Sequence, residues 1–305
     1  MRSTFDLNSA WEKARRSRRA GARSHTYVDY RDRISVGTWL LVFGIGLSLL
    51  IDLPAVPLNL RVFQTPLNIA LDDAIFAAAL LAVLAAAVTE SVVSIHPSLR
   101  ARGRTYTWVY WALPMALAII APFVLLQAET RELQVLGLAV AGALLALAFF
   151  SLYGTVKSGR PGYRRSRLLL DALVYASALL LFLFVYQTGV RSLISGSLIA
   201  FTALLLAVEL LRGASDQVGL ILSYGLVIGL VLGEVTWALN YWKLLPDLTG
   251  GLLLLLIFYL LTGLAQQGLQ GRLTRRVLIE FALFGLVALV LIALVGPGFV
   301  QTVAF

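Results

Sequence analysis

Cysteine is absent from this chain of 305 residues, and histidine occurs only at His25 and His96. Without thiolates there can be no disulfide, no iron–sulfur cluster and no Cys/His zinc site. A bis-histidine haem within one protomer would need both histidines, and His25 stands in a polar tail, so no cofactor is expected. Charge is scarce as well, at 13% of residues, and lysine appears only at Lys13, Lys157 and Lys243. The net charge of +9 is therefore carried almost wholly by arginine.

Nucleotide and peptidase signatures are missing too. No H-E-x-x-H and no G-x-x-x-x-G-K-[ST] occurs, and "SGRPGYRRS" at 158–166 lacks the ordered glycines and the Lys-Ser/Thr pair of a phosphate loop. The acidic pair Asp72 and Asp73 is the nearest approach to a metal or pyrophosphate site. Adjacent helical residues point about 100° apart, however, so the two cannot chelate together. The plainer reading places both at the positive end of a helix dipole, as caps. With no converging catalytic set, the chain reads as a non-enzyme.

What is abundant is apolar sequence: 59% of residues are hydrophobic and the mean hydropathy is +0.86. A bilayer core of about 30 Å needs about 20 apolar residues in a helix, and such runs recur along the chain. The expectation is an all-α, polytopic membrane bundle with nine spans, near 34–53, 70–94, 107–127, 133–153, 168–188, 193–211, 217–240, 249–268 and 277–296. Residues 1–33 form a basic tail and 34–305 the membrane domain. If the tail is cytoplasmic, 21 of the 25 Lys and Arg residues fall on its side, leaving Arg61, Arg131, Arg191 and Lys243 outside. That bias predicts a cytoplasmic N-terminus, an outer C-terminus and the cytoplasmic membrane as location. Dropping one interior span would reverse every later loop and destroy the pattern.

The tail is too polar for a signal-peptide core, so span one is expected to act as an uncleaved insertion signal. Its arginines suit anionic lipid, with Trp11 and Tyr27 at the interface, better than nucleic acid, for which no second feature exists. The outer segment 53–68, with three prolines, is expected to be a connector or a re-entrant segment rather than a continuous helix. Pro114 and Pro122 are expected to kink span three.

Acidic residues inside spans are the default candidates for function, because a charge at mid-bilayer costs roughly 2.5 kcal/mol or more. Three have a local base: Asp171 with Arg167, Glu280 with Arg276, and Glu209 with Arg212, at helical spacing near the cytoplasmic boundary. Glu209 also extends a seven-residue stripe, Ser195, Thr202 and Glu209, on one face of span six. That stripe is either a hydrated path or a packing face. Glu90 and Glu234 have no base three or four residues away. Glu90 shares a face with Asp72 about 27 Å away, across Ala79, Val83 and Ala86. Glu234 follows the ridge Gly225, Gly229, Gly233, which permits close helix approach and predicts a central span seven. It lies on the side of Trp237 and Tyr241, with Arg61, Arg191 or Lys243 as tertiary partners. Two functions compete: a carrier or channel-like protein handling a proton, cation or small solute, and a non-catalytic accessory or assembly subunit docking membrane proteins or a second copy. A lipid-modifying enzyme stands third.

Overall fold

The computed structural model describes residues 30–51, 56–62, 65–71, 73–102, 107–157, 162–188, 193–241 and 247–295. Helix dominates, as it must where no water can satisfy the backbone. Helix α1 covers 30–48, followed by strands β1 (Val56–Val62) and β2 (Thr65–Leu71) and helices α2 (Asp73–Val93) and α3 (Pro97–Arg102). A 3₁₀ turn, Trp108–Trp111, leads into α4 (Ala112–Leu125). Then come α5 (Arg131–Thr155), α6 (Tyr163–Thr188), α7 (Leu193–Arg212), α8 (Val218–Tyr241), α9 (Asp247–Leu269) and α10 (Arg275–Val295). Each expected span coincides with a helix to within a few residues. Seven of the helices are long and apolar enough to cross a membrane, counted over the described residues.

The expectation for 53–68 needs correction. Val56–Val62 and Thr65–Leu71 pair as an antiparallel ribbon, with Val56 opposite Leu71, Leu58 opposite Ile69 and Leu60 opposite Leu67. These share one face, and the pairs Pro57–Ala70, Asn59–Asn68 and Arg61–Pro66 share the other. Alternation in "VPLNLRV" and "TPLNIAL" is the period of a strand. Both strands are edges, where proline is tolerated. Pro114 falls in the first turn of α4, where its missing N–H costs nothing, and the chain ahead of it takes the tighter 3₁₀ form.

Ends follow local chemistry. Thr130 caps α5 by accepting from the Leu133 N–H at 3.3 Å. Helix α9 stops at Gly271, φ +67°, where Arg272 N–H reaches back to the Gln267 carbonyl at 2.9 Å.

The centre is α7, not α8. Helix α7 touches α4, α6, α8 and α9, and Leu206, Ala207, Val208, Glu209, Leu210 and Leu211 are all buried. The glycine ridge of α8 does make the expected close approach, but it does so from one side. A Cβ on Gly229 would overlap the Ala200 carbonyl oxygen, and one on Gly233 would sit 2.9 Å from the Ala200 side chain. Leu220, Val227, Leu230 and Trp237 on the far side of α8 are exposed. Helix α10 packs on α9 and presents most of its surface outward. On α2, Ala79 and Val83 are exposed rather than packed; the buried face runs through Leu81, Ala85, Val88 and Val92.

Candidate functional site: the arginine-rich end of the bundle

Helix α6 starts at Tyr163, earlier than hydropathy alone indicates, and so carries Arg167 into contact with α7. Arg167 Nη1 lies 3.3 Å from Glu209 Oε1, while Nη2 donates to the carbonyls of Glu209 at 3.0 Å and Leu210 at 2.9 Å. These are last-turn carbonyls of α7, the second of which also accepts from the Gly213 N–H at 3.2 Å, so a side chain of α6 helps to cap the end of α7. Gly213 makes room: a Cβ there would stand 2.5 Å from the guanidinium carbon.

Arg212 grips the same carboxylate side-on, Nε to Oε2 at 3.2 Å and Nη2 to Oε1 at 2.5 Å. Its guanidinium lies 4.3 Å from the Tyr110 ring centroid, and Nη2 stands 3.5 Å from Thr155 Oγ1. Asp171 Oδ1 sits 2.8 Å from Arg167 Nη2. Both hydrogens of that nitrogen already serve the α7 carbonyls, so Asp171 Oδ1 meets it chiefly as a charge. Two arginines thus face two carboxylates, and Glu209 is fully buried between them. All three local pairs expected from the sequence are present, including the exposed Arg276–Glu280 pair at 3.0 Å. What spacing did not reveal is that Arg167 links two of them into one cluster.

Glu90 also has a partner. Trp111 donates its indole N–H to Glu90 Oε2 at 3.0 Å, and next to Glu90 the Ser91 carbonyl accepts from Arg33 Nη1 at 3.1 Å. Tyr110 and Trp111 therefore reach in two directions from one short turn, to Arg212 and to Glu90. Glu90 and Glu209 thus lie at the same end of the bundle, on either side of that turn. The aromatic string "WVYW" beside a polar helix end was the signal for it, since a Trp N–H is a donor that carries no charge.

The remaining candidates do not join them. Thr202 is buried and its hydroxyl bonds back to the Leu198 carbonyl at 2.6 Å; Thr89, Ser177, Thr236 and Thr262 do the same to their own helices. Ser195 lies in α7, but its side chain is outside the described residues, as is Asp72. Glu234 is exposed on the outward face of α8, beside exposed Trp237, and neither bonds nor pairs with a described residue. The side chains of Arg61, Arg191, Tyr241 and Lys243 are outside the described residues. No group of three or more His, Asp or Glu that could hold a metal occurs among the described residues. The cluster balances two arginines against two carboxylates and ties α6 to the end of α7.

Apolar helices of this number and length define a polytopic helical membrane protein. Within that class, the chain belongs to the family described as "Protein of unknown function (DUF5656)", which matches residues 53–295, from just before the ribbon to the end of α10. No curated protein and no solved structure matches the chain.

Proposed function

We propose that this is a nine-span protein of the cytoplasmic membrane, N-terminus inside and C-terminus outside, that serves as a non-catalytic docking subunit. The outward face of α8 around Glu234 is the surface it offers. Glu234 carries this reading: a carboxylate on a face of Leu220, Val227, Leu230 and Trp237 is costly against lipid and is relieved by a partner's membrane helix bearing a basic side chain. Complementary charge names the occupant.

The carrier reading expects the polar side chains to share a path. Against it stand Glu209 locked by two arginines, Thr202 bonded to its own helix and Glu90 held by Trp111. Two experiments test the proposal. Reporter fusions after residues 60, 130, 190, 245 and 305 should all lie outside; an inner signal at 305 removes the ninth span. A photo-crosslinker at Leu230 in native membranes should join a protein peptide that carries a basic residue, and Glu234→Gln should abolish the adduct. Adducts with lipid only, or adducts indifferent to Glu234→Gln, end the docking reading.

A further inference from the structure

The ribbon of β1 and β2 has two unlike faces. By the register of its pairs, Leu58, Leu60, Leu67 and Ile69 stand at the centre of one face, and Asn59 opposite Asn68 at the centre of the other. At seven residues in each strand, the ribbon is about 23 Å long. Its strands pack on each other, and among the described residues none of helices α2–α10 packs along either strand. Two strands by themselves are marginal in water, so an apolar face of this length calls for a surface to lie on.

The edges of the ribbon say what that surface is not. Pro57 and Pro66 fall in the same alternate set of pairs, Pro57–Ala70, Asn59–Asn68 and Arg61–Pro66. A proline has no N–H to exchange across the ladder, so this set is the one whose backbone groups point away from the partner strand. Each outer edge therefore lacks one of its outward donors, on β1 at Pro57 and on β2 at Pro66. Such edges resist a third strand, whether from a second copy of the chain or from another protein.

Attachment names the occupant. Only Asp72 separates Leu71 from α2, a helix long and apolar enough to cross a membrane, so the ribbon is held where that helix enters the bilayer. Phe76, Leu80 and Val83 are exposed along α2, an apolar surface for acyl chains that begins in its first turn. Open sheet edges have no backbone partners in hydrocarbon, so the ribbon cannot dip through the membrane. We infer that it lies flat on the membrane surface as an amphipathic foot, the face of Leu58, Leu60, Leu67 and Ile69 set on the acyl chains and the face of Asn59 and Asn68 toward headgroups and water. Its partner is lipid, met at the shallow depth of an interfacial segment.

The inference needs α2 to span the membrane, but neither its direction nor the docking role of α8, so the two fail separately. The chain has no cysteine of its own, so a single nitroxide can be placed at will in the full protein in liposomes. Labels at Leu58→Cys, Leu60→Cys, Leu67→Cys and Ile69→Cys should collide freely with oxygen, which collects among acyl chains, and be shielded from a water-soluble nickel complex. Asn59→Cys and Asn68→Cys should show the reverse, so that accessibility alternates with period two along each strand. Leu60→Asn with Leu67→Asn should cost the label at Ile69→Cys its shielding from nickel. A phospholipid with a photoactivatable acyl chain needs no variant: it should mark the apolar positions of the unmodified ribbon as it marks α10, whose Leu283, Leu286 and Leu294 are exposed. Apolar-face labels shut off from both reagents would mean that protein covers the face, and labels open to nickel would leave it in water. Either result, a lack of alternation, shielding that survives the double change, or an unmarked ribbon beside a marked α10 would overturn the inference.

Discussion

Glu209 and Glu234 are both glutamates in apolar helices, and α7 and α8 pack against each other along a glycine ridge, yet their surroundings differ completely. Glu209 is fully buried and meets two arginines, one of which also caps its helix. Glu234, one helix later, faces outward with no described partner. The comparison separates two uses of a membrane carboxylate. An internal one is a structural joint, costly to break and silent toward the outside. An outward one contributes little to the isolated fold and becomes useful only when something covers it.

The strongest way to break the comparison is at Glu209. Glu209→Gln leaves Arg212 without a counter-charge and two arginines to the single carboxylate of Asp171, and should destabilise the protein by about 3–5 kcal/mol. Thermal unfolding in detergent reads this, and adding Arg212→Gln should recover part of the loss. A melting temperature unmoved by the single change would mean that the cluster is hydrated rather than internal.

Next comes the seam between the helices. Gly229→Leu drives a side chain into the α7 backbone and should cost about 3 kcal/mol. Gly219→Leu, with nothing within 4 Å of its Cβ position, should stay within about 0.5 kcal/mol. Gly251 belongs with Gly229, since a Cβ there would lie 3.1 Å from Leu183 Cα. If Gly219 and Gly229 variants unfold alike, the close approach is not what holds α8 in place.

Trp111→Phe is a smaller probe of the internal end. It removes the N–H that Glu90 accepts and should cost about 1–2 kcal/mol, while Trp111→Phe combined with Glu90→Gln should cost no more than the first change alone. Additive losses would show that the pair does not act as a unit. Glu234→Gln is the mildest: stability of the isolated chain should shift by no more than about 0.5 kcal/mol, and only the crosslinked partner should disappear. A large drop in stability would instead identify an internal pair for Glu234 and merge it with the Glu209 class.

Much of this architecture was legible because a bilayer imposes one length and one kind of backbone on every span. The ends of α2, α5, α7, α8, α9 and α10 lie within three residues of their hydropathy boundaries. Local ion pairs were legible for the same reason, as helical spacing fixes which side chains meet. The reach of Arg167 to Glu209 was not, because it depends on how two helices cross, which spacing within one helix does not encode. The Trp111–Glu90 bond escaped because a search for bases overlooks a neutral donor. In the ribbon, alternation over Val56–Val62 and Thr65–Leu71 was present in the sequence but was overshadowed by the prolines, which argue against helix more clearly than they argue for strand. The ridge on α8 correctly indicated close packing; it could not indicate which of the two helices lay inside.

Order of synthesis gives the contacts of Arg167 a further meaning. Asp171 is made four residues after Arg167, in the same helix, whereas Glu209 follows 42 residues later. When α6 first enters the bilayer, its arginine already has a counter-charge beside it, and the carbonyls it will cap do not yet exist. On that order Asp171 can neutralise Arg167 until α7 arrives, and in the finished fold it keeps the ionic contact at 2.8 Å. A nascent chain halted before α7 should therefore depend on Asp171 for correct placement of α6, and glycosylation-site mapping of such chains with Asp171→Asn would reveal a shifted helix; an unshifted one would leave Asp171 without that duty.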